Sequence, residues 1–302
     1  MTHAGIDSIF ALQPARRLLR GLALLTLGSC LLAGSLSAHA DLADAKKRGY
    51  ITAATEDDYA PFNFIVDGKP QGFHSDLLVE LKAYAKKSNL DVRQEILPWT
   101  GLLASVSSGQ YDMAFTGALV TDDRLRVFNF SPPFASAQHY FVKRAKDDSI
   151  TDIASLSGKS VGVQAGSALL ARLPELKAML AETGGEMGEV REYPSYPEIY
   201  ADLANGRLDI AVNAVISVND LVKARGDVFA KGLPVSGNGF AAWPVPKNSP
   251  ELLKFLTGFM DDIRASGKLA ELQTKWFGEA FADLPVEPIT SVDQFHSLAG
   301  MK

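Results

Sequence analysis

The sequence has 302 residues, of which 47% are hydrophobic, and its formal net charge is −5 at neutral pH. This mildly acidic balance argues against nucleic acid or an anionic membrane surface as a partner. The single cysteine, Cys30, excludes an intramolecular disulfide. The fold must therefore rest on core burial, which a chain of this length permits.

The first 40 residues have the pattern of a cleavable secretory leader. Three arginines lie between residues 16 and 20, an apolar run covers residues 21–32, and Ala38 and Ala40 occupy the positions that a signal peptidase reads. The apolar run is too short and too rich in glycine and serine for a membrane span. We therefore expect cleavage before Asp41 and a periplasmic location. Loss of three arginines and one aspartate leaves a net charge of −7.

A lipid anchor is the alternative for this segment, because Leu27-Gly28-Ser29-Cys30 resembles a lipobox. The residues after Cys30 stay apolar and a better cleavage site follows, so the leader is favoured. Without Cys30 the remaining chain can have no thiolate nucleophile and no cysteine-ligated metal. Its scattered histidines lack the spacing of a metal site, and we expect no cofactor.

After Asp41, strand-like and helix-like segments alternate in two cycles. The first cycle predicts a strand at 50–55, a turn at Asp67-Gly68 after strand 63–66, helices near 77–85 and 101–108, and a strand at 113–116. The second predicts a strand at 160–164, a helix opening near Gly166-Ser167, a helix at 196–204, a strand at 208–213, a helix at 217–225, a strand at 240–245 and an amphipathic helix after Pro250. The stretch from Pro285 is weakly patterned. This alternation is typical of α/β proteins with mostly parallel sheets, and two similar cycles suggest two lobes, although one domain also fits this length.

Six short motifs follow one another between about residues 50 and 277. They are Thr55-Glu56-x-x-Tyr59-Ala60-Pro61-Phe62, Gly72-Phe73-x-x-Asp76-Leu77, Trp99-x-Gly101-Leu102-Leu103 with Ser108-Gly109-x-Tyr111-Asp112, Thr121-x-x-Arg124, Phe130-Ser131-x-Pro133-Phe134, and Gly158-Lys159-x-Val161-Gly162-Val163-x-x-Gly166-Ser167. With these motifs the chain resembles the family-3 periplasmic solute-binding proteins of polar amino-acid and opine uptake. Each motif alone is weak, but six in the right order are specific.

The resemblance implies an α/β, two-lobed periplasmic-binding-protein fold of type II, in which helices flank a mixed sheet in each lobe and two strands cross between the lobes. The first lobe would comprise residues 41–136 and 238–285, the second 137–237, with a tail at 286–302. It also implies a monomer that captures an amino acid or a derivative by lobe closure and delivers it to an inner-membrane ABC permease.

Arg124 is the strongest candidate for ligand contact. The resemblance implies that the arginine of Thr121-x-x-Arg124 holds the ligand carboxylate, and a planar guanidinium suits that role through two parallel hydrogen bonds. The alternative is an exposed arginine or a structural ion pair with Asp122 or Asp123.

Four further residues are implied to contact ligand: Tyr59, Trp99, Gly117 and Ser167. Aromatic faces at Tyr59 and Trp99 can sandwich the apolar or cationic part of a solute, with core packing as the alternative. Ser167 would offer a hydroxyl at a helix N-terminus, where an ordinary capping role is equally compatible.

Two departures from the family pattern concern ligand class. In many amino-acid binders an Asp follows the Gly-Arg-x-Asp motif by five residues and pairs with the ligand ammonium; here Gly206-Arg207-Leu208-Asp209 leads to Ala214 at that place. Asn213 beside it can accept a hydrogen bond from an ammonium and is the remaining candidate for ligand contact there. Five residues before Arg124, where many relatives carry Ser or Thr, this chain has Leu119, so a hydroxyl contact to the ligand is absent.

The opine and basic amino-acid branch of the family shares the Thr-Glu-x-x-Tyr pattern, and the resemblance implies that Glu56 faces a cationic group. A partly buried carboxylate would need such a charged or multiply donating partner; the alternative is an exposed acidic turn. An opine-like or guanidino acid is therefore favoured over a neutral amino acid.

Two other functions stay open on the same scaffold. One is a periplasmic enzyme similar to cyclohexadienyl dehydratase, for which Glu56 is the obvious candidate for a general acid. The other is an accessory protein of a periplasmic dehydrogenase or a sensor, which fits the loss of the ammonium partner.

Overall fold

The computed structural model describes residues 41–301. The predicted leader and the alternative lipid attachment at Cys30 lie outside these residues. In chain order the strands are β1 (Tyr50–Glu56), β2 (Asp58–Tyr59), β3 (Asn63–Val66), β4 (Lys69–Gln71), β5 (Asp91–Leu97), β6 (Met113–Ala114), β7 (Phe128–Phe130), β8 (Ala135–Ser136), β9 (His139–Arg144), β10 (Val161–Gln164), β11 (Val190–Tyr193), β12 (Ile210–Ala214), β13 (Phe229–Pro234), β14 (Phe240–Ala241) and β15 (Pro244–Pro246). The helices are α1 (Leu42–Arg48), α2 (Phe73–Lys86), α3 (Trp99–Ser107), α4 (Asp122–Val127), α5 (Ala168–Ala171), α6 (Leu173–Glu182), α7 (Tyr196–Ala204), α8 (Val215–Arg225), α9 (Pro250–Ala265), α10 (Lys268–Phe277) and α11 (Val292–Ala299), with a 3₁₀ turn at Ala154–Leu156.

The first lobe is built around a parallel sheet with strand order β5-β1-β6. β15 lies beside β6 and pairs antiparallel with β7. An aromatic core packs there around Trp243, whose Nε1 donates to His74 Nε2 at 3.0 Å. The predicted hairpin is confirmed between β3 and β4, where Asp67 and Gly68 have φ values of 51° and 72°. Two consecutive positive φ angles suit a tight two-residue turn.

The second lobe is built around a five-stranded mixed sheet with strand order β11-β10-β12-β9-β13. β10 pairs parallel with β11 and β12, whereas β9 pairs antiparallel with β12 and β13. Helices α5 and α7 pack against β10, and α8 packs against β9 and β13. The helix predicted at residues 196–204 is confirmed with the same bounds as α7.

The chain passes between the lobes at β8 and β14, which pair antiparallel with Ser136 opposite Phe240. The prediction of one strand over 240–245 was wrong, because two strands form there. β14 pairs with β8 and β15 pairs with β7. The backbone N–H of Trp243 between them donates instead to the Ser131 hydroxyl at 3.0 Å.

The stretch after Pro285 departs from the expected unpatterned tail. Residues Val292–Ala299 form α11, with the Ser291 hydroxyl as the N-cap and Gly300 in the left-handed conformation at the C-terminal end. Phe295 is buried at 2% exposure. His296 Nε2 lies 2.9 Å from Asp122 Oδ1, so α11 contacts α4 of the first lobe. Within residues 41–301 every helix is too short or too polar to traverse a bilayer.

Candidate functional site

Most candidate residues converge on one cavity between the lobes, called the cleft cavity below. Its lining is Glu56, Tyr59, Trp99, Gly117, Leu119, Arg124, Gln164, Ser167, Ala168, Leu169 and Tyr196. The first six come from the first lobe and the last five from the second. The volume left among these side chains is about 10 Å³, roughly the space of one water molecule. An amino-acid-sized solute would therefore require the lining to separate.

Arg124 links the two lobes through backbone carbonyls. Its Nη1 donates to the carbonyl oxygen of Leu119 at 2.7 Å, and its Nη2 donates to that of Gly166 at 3.2 Å. The guanidinium carbon lies 5.0 Å from the centre of the Trp99 ring. Burial lowers the pKa of Arg124 to about 10, so the group remains a cation at neutral pH. The two N–H donors that could bind a carboxylate are therefore present in Arg124, and each donates here to a neutral backbone carbonyl.

The motif Thr121-x-x-Arg124 has a local structural reason. Thr121 is the N-cap of α4, and its hydroxyl accepts from the backbone N–H of Arg124 at 3.3 Å. This cap fixes the first turn of the helix that carries the guanidinium. The alternative of an ion pair with the neighbouring aspartates is not formed, since Asp122 contacts His296 and Asp123 contacts Arg126.

Glu56 stands at the carboxyl end of β1 and is buried at 3% exposure. Its Oε1 accepts from Gln164 Nε2 across the cleft at 3.0 Å. Burial raises the pKa of Glu56 to about 8, opposed by the Gln164 hydrogen bond and supported by repulsion from Asp57 and Asp58. In this conformation the carboxyl group is therefore largely protonated at neutral pH. A cation placed beside it would favour the ionised form.

Tyr59 lies in a stack of three aromatic rings. Its ring centre is 5.0 Å from that of Phe62 and 5.4 Å from that of Tyr196, with interplanar angles of 30° and 15°. A Cβ atom at Gly117 would lie 2.8 Å from ring atoms of both Tyr59 and Phe62. Gly117 thus lines the cavity with backbone and permits the close approach of Tyr59.

Trp99 and Ser167 lie at helix starts on opposite sides of the cleft. Trp99 is the first residue of α3 and is 8% exposed. Ser167 is the N-cap of α5, and its hydroxyl accepts from the N–H of Leu170 at 3.2 Å. The capping alternative for Ser167 is therefore realised, in a residue that also lines the cleft cavity.

Asn213 does not line the cleft cavity. It lines a second cavity, called the lateral cavity below, together with Asp58, Tyr59, Ala60, Tyr196, Pro197, Tyr200, Ser217, Asp220, Leu221 and Ala224. Its Nδ2 donates to the Tyr200 hydroxyl at 2.7 Å, and its Oδ1 accepts from the N–H of Ala214 at 2.7 Å. Tyr59 and Tyr196 line both cavities and form their shared wall.

Sequence reasoning missed Gln164 and Tyr196 as cleft residues. Gln164 ends β10, and Tyr196 begins α7. The carboxyl end of a parallel strand is where open α/β sheets bind ligands, which was a usable signal for Gln164. Tyr196 has no local signal, because its partner Tyr59 belongs to the other lobe. Within residues 41–301 no group of histidine, cysteine, aspartate or glutamate has an arrangement suited to a metal ion.

Comparison with known proteins bears on the whole arrangement. The sequence model of the bacterial extracellular solute-binding proteins, family 3, matches residues 51–279. The chain belongs to this family. It is 30% identical over 258 residues to the L-cystine-binding protein TcyJ of Escherichia coli (strain K12), an alignment that covers 82% of this chain and 91% of TcyJ. It is 26% identical to the arginine-binding extracellular protein ArtP of Bacillus subtilis (strain 168), covering 74% of this chain and 84% of ArtP.

Solved structures share the architecture of this family-3 protein. An ancestral arginine-binding protein bound to arginine matches with a TM-score of 0.67 and 27% identity, covering 76% of this chain and 99% of that one. AbpA from Streptococcus pneumoniae, bound to L-arginine, matches with a TM-score of 0.66 and 26% identity, covering 78% and 98%. The two-lobed α/β fold implied by the motifs is thereby confirmed, as is the assignment to the solute-binding proteins.

Proposed function

We propose that this protein is the periplasmic substrate-binding component of an ABC uptake system, and that the cleft cavity captures an amino acid or an amino-acid derivative. One observation carries the proposal: Arg124 and Glu56, a half-buried cation and a buried carboxyl group, line one cavity to which both lobes contribute. Arg124 would exchange its two carbonyl acceptors for a solute carboxylate, a stronger charge-assisted partner. An inner-membrane permease would then receive the solute from a monomer.

The proposed motion is hinge bending between a first lobe of residues 41–136 and 238–285 and a second lobe of residues 137–237. The pairing of β8 with β14 supports hinges at these two crossings. The small cleft volume supports opening, since solute entry requires Arg124 to leave Gly166 and Glu56 to leave Gln164. The leader expected at residues 1–40 would bring the chain to the periplasm.

The favoured ligand is an opine-like or guanidino acid. Ala214 is fully buried and cannot neutralise an ammonium. The amide of Asn213 is occupied by Tyr200 and by the backbone of Ala214. A plain α-ammonium would thus lose water without gaining a charged partner, which is strongly unfavourable. A distal cation beside Glu56 would gain one. Relatives that bind arginine agree with the distal guanidinium of this ligand class, whereas the α-ammonium of arginine would need a partner other than residue 214.

A thermal-shift screen tests both the proposed solute-binding function and the proposed ligand class. Arginine, N-substituted and other guanidino acids, cystine and plain neutral amino acids are each added to the protein without its leader. A ligand at 100 times its Kd adds about 2.7 kcal/mol of stability. We expect guanidino or N-substituted acids to shift the melting temperature most. Tight binding of alanine or serine would overturn the ligand class alone, whereas the absence of any stabilising amino-acid derivative would overturn the proposed function.

An Ala214→Asp variant is the matched gain-of-function control. It restores the carboxylate that the family pattern places there, so it should improve binding of plain α-amino acids relative to the parent chain. Loss of folding must first be excluded by circular dichroism, because Ala214 is fully buried.

A dehydratase remains a second candidate because Glu56 is largely protonated in this conformation, as a general acid must be. Incubation with prephenate distinguishes the two functions. A solute-binding protein leaves prephenate unchanged, whereas a dehydratase consumes it. In the second case Glu56→Gln would stop the turnover.

A further inference from the structure

The lateral cavity has a different chemical character from the cleft cavity. Its volume is about 190 Å³, and its lining includes Asp58 from the first lobe and Asp220 from the second. Among residues 41–301 neither carboxylate forms a salt bridge or a hydrogen bond. Burial raises the pKa of Asp58 to about 6, with repulsion from Asp57 and Glu198 adding to it. Burial also raises the pKa of Asp220, and Lys223 opposes this. With a pKa of about 6, Asp58 is ionised for the most part at neutral pH.

Buried hydroxyl groups give an independent indication of a ligand. Tyr196 and Ser217 are each 3% exposed and line this cavity. The Tyr196 hydroxyl has no hydrogen-bond partner. The Ser217 hydroxyl approaches that of Tyr59, yet it forms no hydrogen bond of normal geometry. Buried polar atoms are normally satisfied, so unpartnered ones beside a cavity point to a group that completes them.

The aromatic lining suits a cation rather than a neutral donor. Tyr59, Tyr196 and Tyr200 all line the cavity, and Tyr200 lies 5.8 Å from Tyr196 between ring centres. Aromatic faces attract ammonium and guanidinium groups, and carboxylates from two sides provide charge-assisted acceptors. Hydroxyl oxygens supply further acceptors around such a group.

We propose that the lateral cavity is a binding site for the ammonium or guanidinium group of a small organic cation. The site does not include Arg124, so it needs no carboxylate on the ligand and goes beyond the proposed capture of amino acids. Because Asp58 and Asp220 belong to different lobes, a cation between them favours the closed arrangement by bridging the two.

Calorimetric titration with agmatine and putrescine tests the site, since both cations lack a carboxylate. The variants are Asp58→Asn and Asp220→Asn, with Asp227→Asn as the control, an exposed aspartate of the second lobe outside the cavity. We expect each cavity variant to bind about tenfold more weakly or worse, as truncation of a charge partner predicts. The control should bind like the parent chain. Circular dichroism establishes that each variant is folded.

The pH dependence provides a second readout. Lowering the pH from 7.5 to 5 should weaken cation binding in the parent chain, because Asp58 takes up a proton near its pKa of about 6. The dependence should be smaller in Asp58→Asn. Absence of binding at millimolar cation, or binding that both cavity variants retain, overturns the site. Equal loss in Glu56→Gln, which removes the acidic group of the cleft cavity, would assign the cation to that cavity and would also overturn the proposed site.

Discussion

The cleft cavity and the lateral cavity share a wall formed by Tyr59 and Tyr196 but differ in whether their ionisable side chains have partners in the protein. In the cleft, Arg124 and Glu56 are bonded to groups of the protein itself, and only about 10 Å³ remains. In the lateral cavity about 190 Å³ is open, and the carboxylates of Asp58 and Asp220 have no partner among the described residues. A site whose polar groups are already bonded to neutral groups of the protein can close without solute, whereas a site with unpaired carboxylates gains most from a cationic ligand.

The largest expected effect is the loss of solute binding in Arg124→Ala. Truncating one partner of a buried charge pair costs about 2–5 kcal/mol of binding. Calorimetry with a solute identified by the thermal-shift screen measures the change. Arg126→Ala is the matched control, because Arg126 lies on the same helix but is 74% exposed and outside the cleft cavity. Equal losses of solute affinity in the two variants would contradict the assignment of Arg124 to solute binding in the cleft cavity.

Glu56→Gln should stabilise the protein at high pH. Burial raises the pKa of Glu56 from 4.5 to about 8. The folded chain therefore binds a proton that the unfolded chain releases, and stability falls as the pH rises from 4.5 to about 8. Glutamine cannot ionise, so the variant should exceed the parent by about 4–5 kcal/mol at pH 8.5. The difference should nearly vanish at pH 4.

Urea unfolding at several pH values measures this difference, with Glu95→Gln as the control on the exposed edge of β5. A constant difference between Glu56→Gln and the parent across the pH range would show that Glu56 stays ionised and hydrated.

Gly117→Ala should push the shared wall out of place. The new Cβ atom would meet ring atoms of Tyr59 and Phe62 at 2.8 Å, and overpacking of this kind costs about 1–3 kcal/mol. Urea unfolding should show the loss. Gly237→Ala serves as the comparison, since its Cβ would have no neighbour nearer than 3.6 Å. A tolerated Gly117→Ala would mean that the aromatic stack shifts freely.

The smallest effects concern hydroxyl groups of the wall. Tyr200→Phe removes the acceptor of Asn213 Nδ2 at 2.7 Å, and a buried donor left unsatisfied costs about 1–3 kcal/mol. Tyr59→Phe removes a longer contact of 3.4 Å to Asn213 Oδ1, which keeps the N–H of Ala214 as a donor. Thermal unfolding should therefore rank Tyr200→Phe below Tyr59→Phe in stability, and the reverse order would contradict this hydrogen-bond arrangement.

Local signals in the sequence predicted the elements that depend on neighbouring residues. The turn at Asp67-Gly68 and the helix after Pro250 depend on such signals and were confirmed. The cap of Thr121 explains why a motif of four residues located Arg124. The sequence also contains the capping residues of α11, Ser291 and Gly300, but a helix of eight residues gives too short an apolar pattern to be predicted.

Contacts between the lobes could not be predicted in the same way. Tyr196 meets Tyr59 across the cleft, and Asn213 turns toward Tyr200 instead of the cleft cavity. Side-chain direction at the end of β12 decides which cavity a residue lines, and adjacent strand positions point to opposite faces. The apolar run 240–245 likewise fits one strand or two, because only its partners β8 and β7 determine where it bends.

The discontinuous first lobe sets an order for folding. The five strands of the second lobe lie within one continuous stretch, from β9 to β13. By contrast, His296 of α11 meets Asp122 of α4 across 174 positions in sequence, and closing long loops slows folding. We expect pulsed hydrogen exchange to show protection in β10 and β12 before β7 and β15. In this order α4, the helix that carries Arg124, would be among the last elements to become stable, because it is supported by α11.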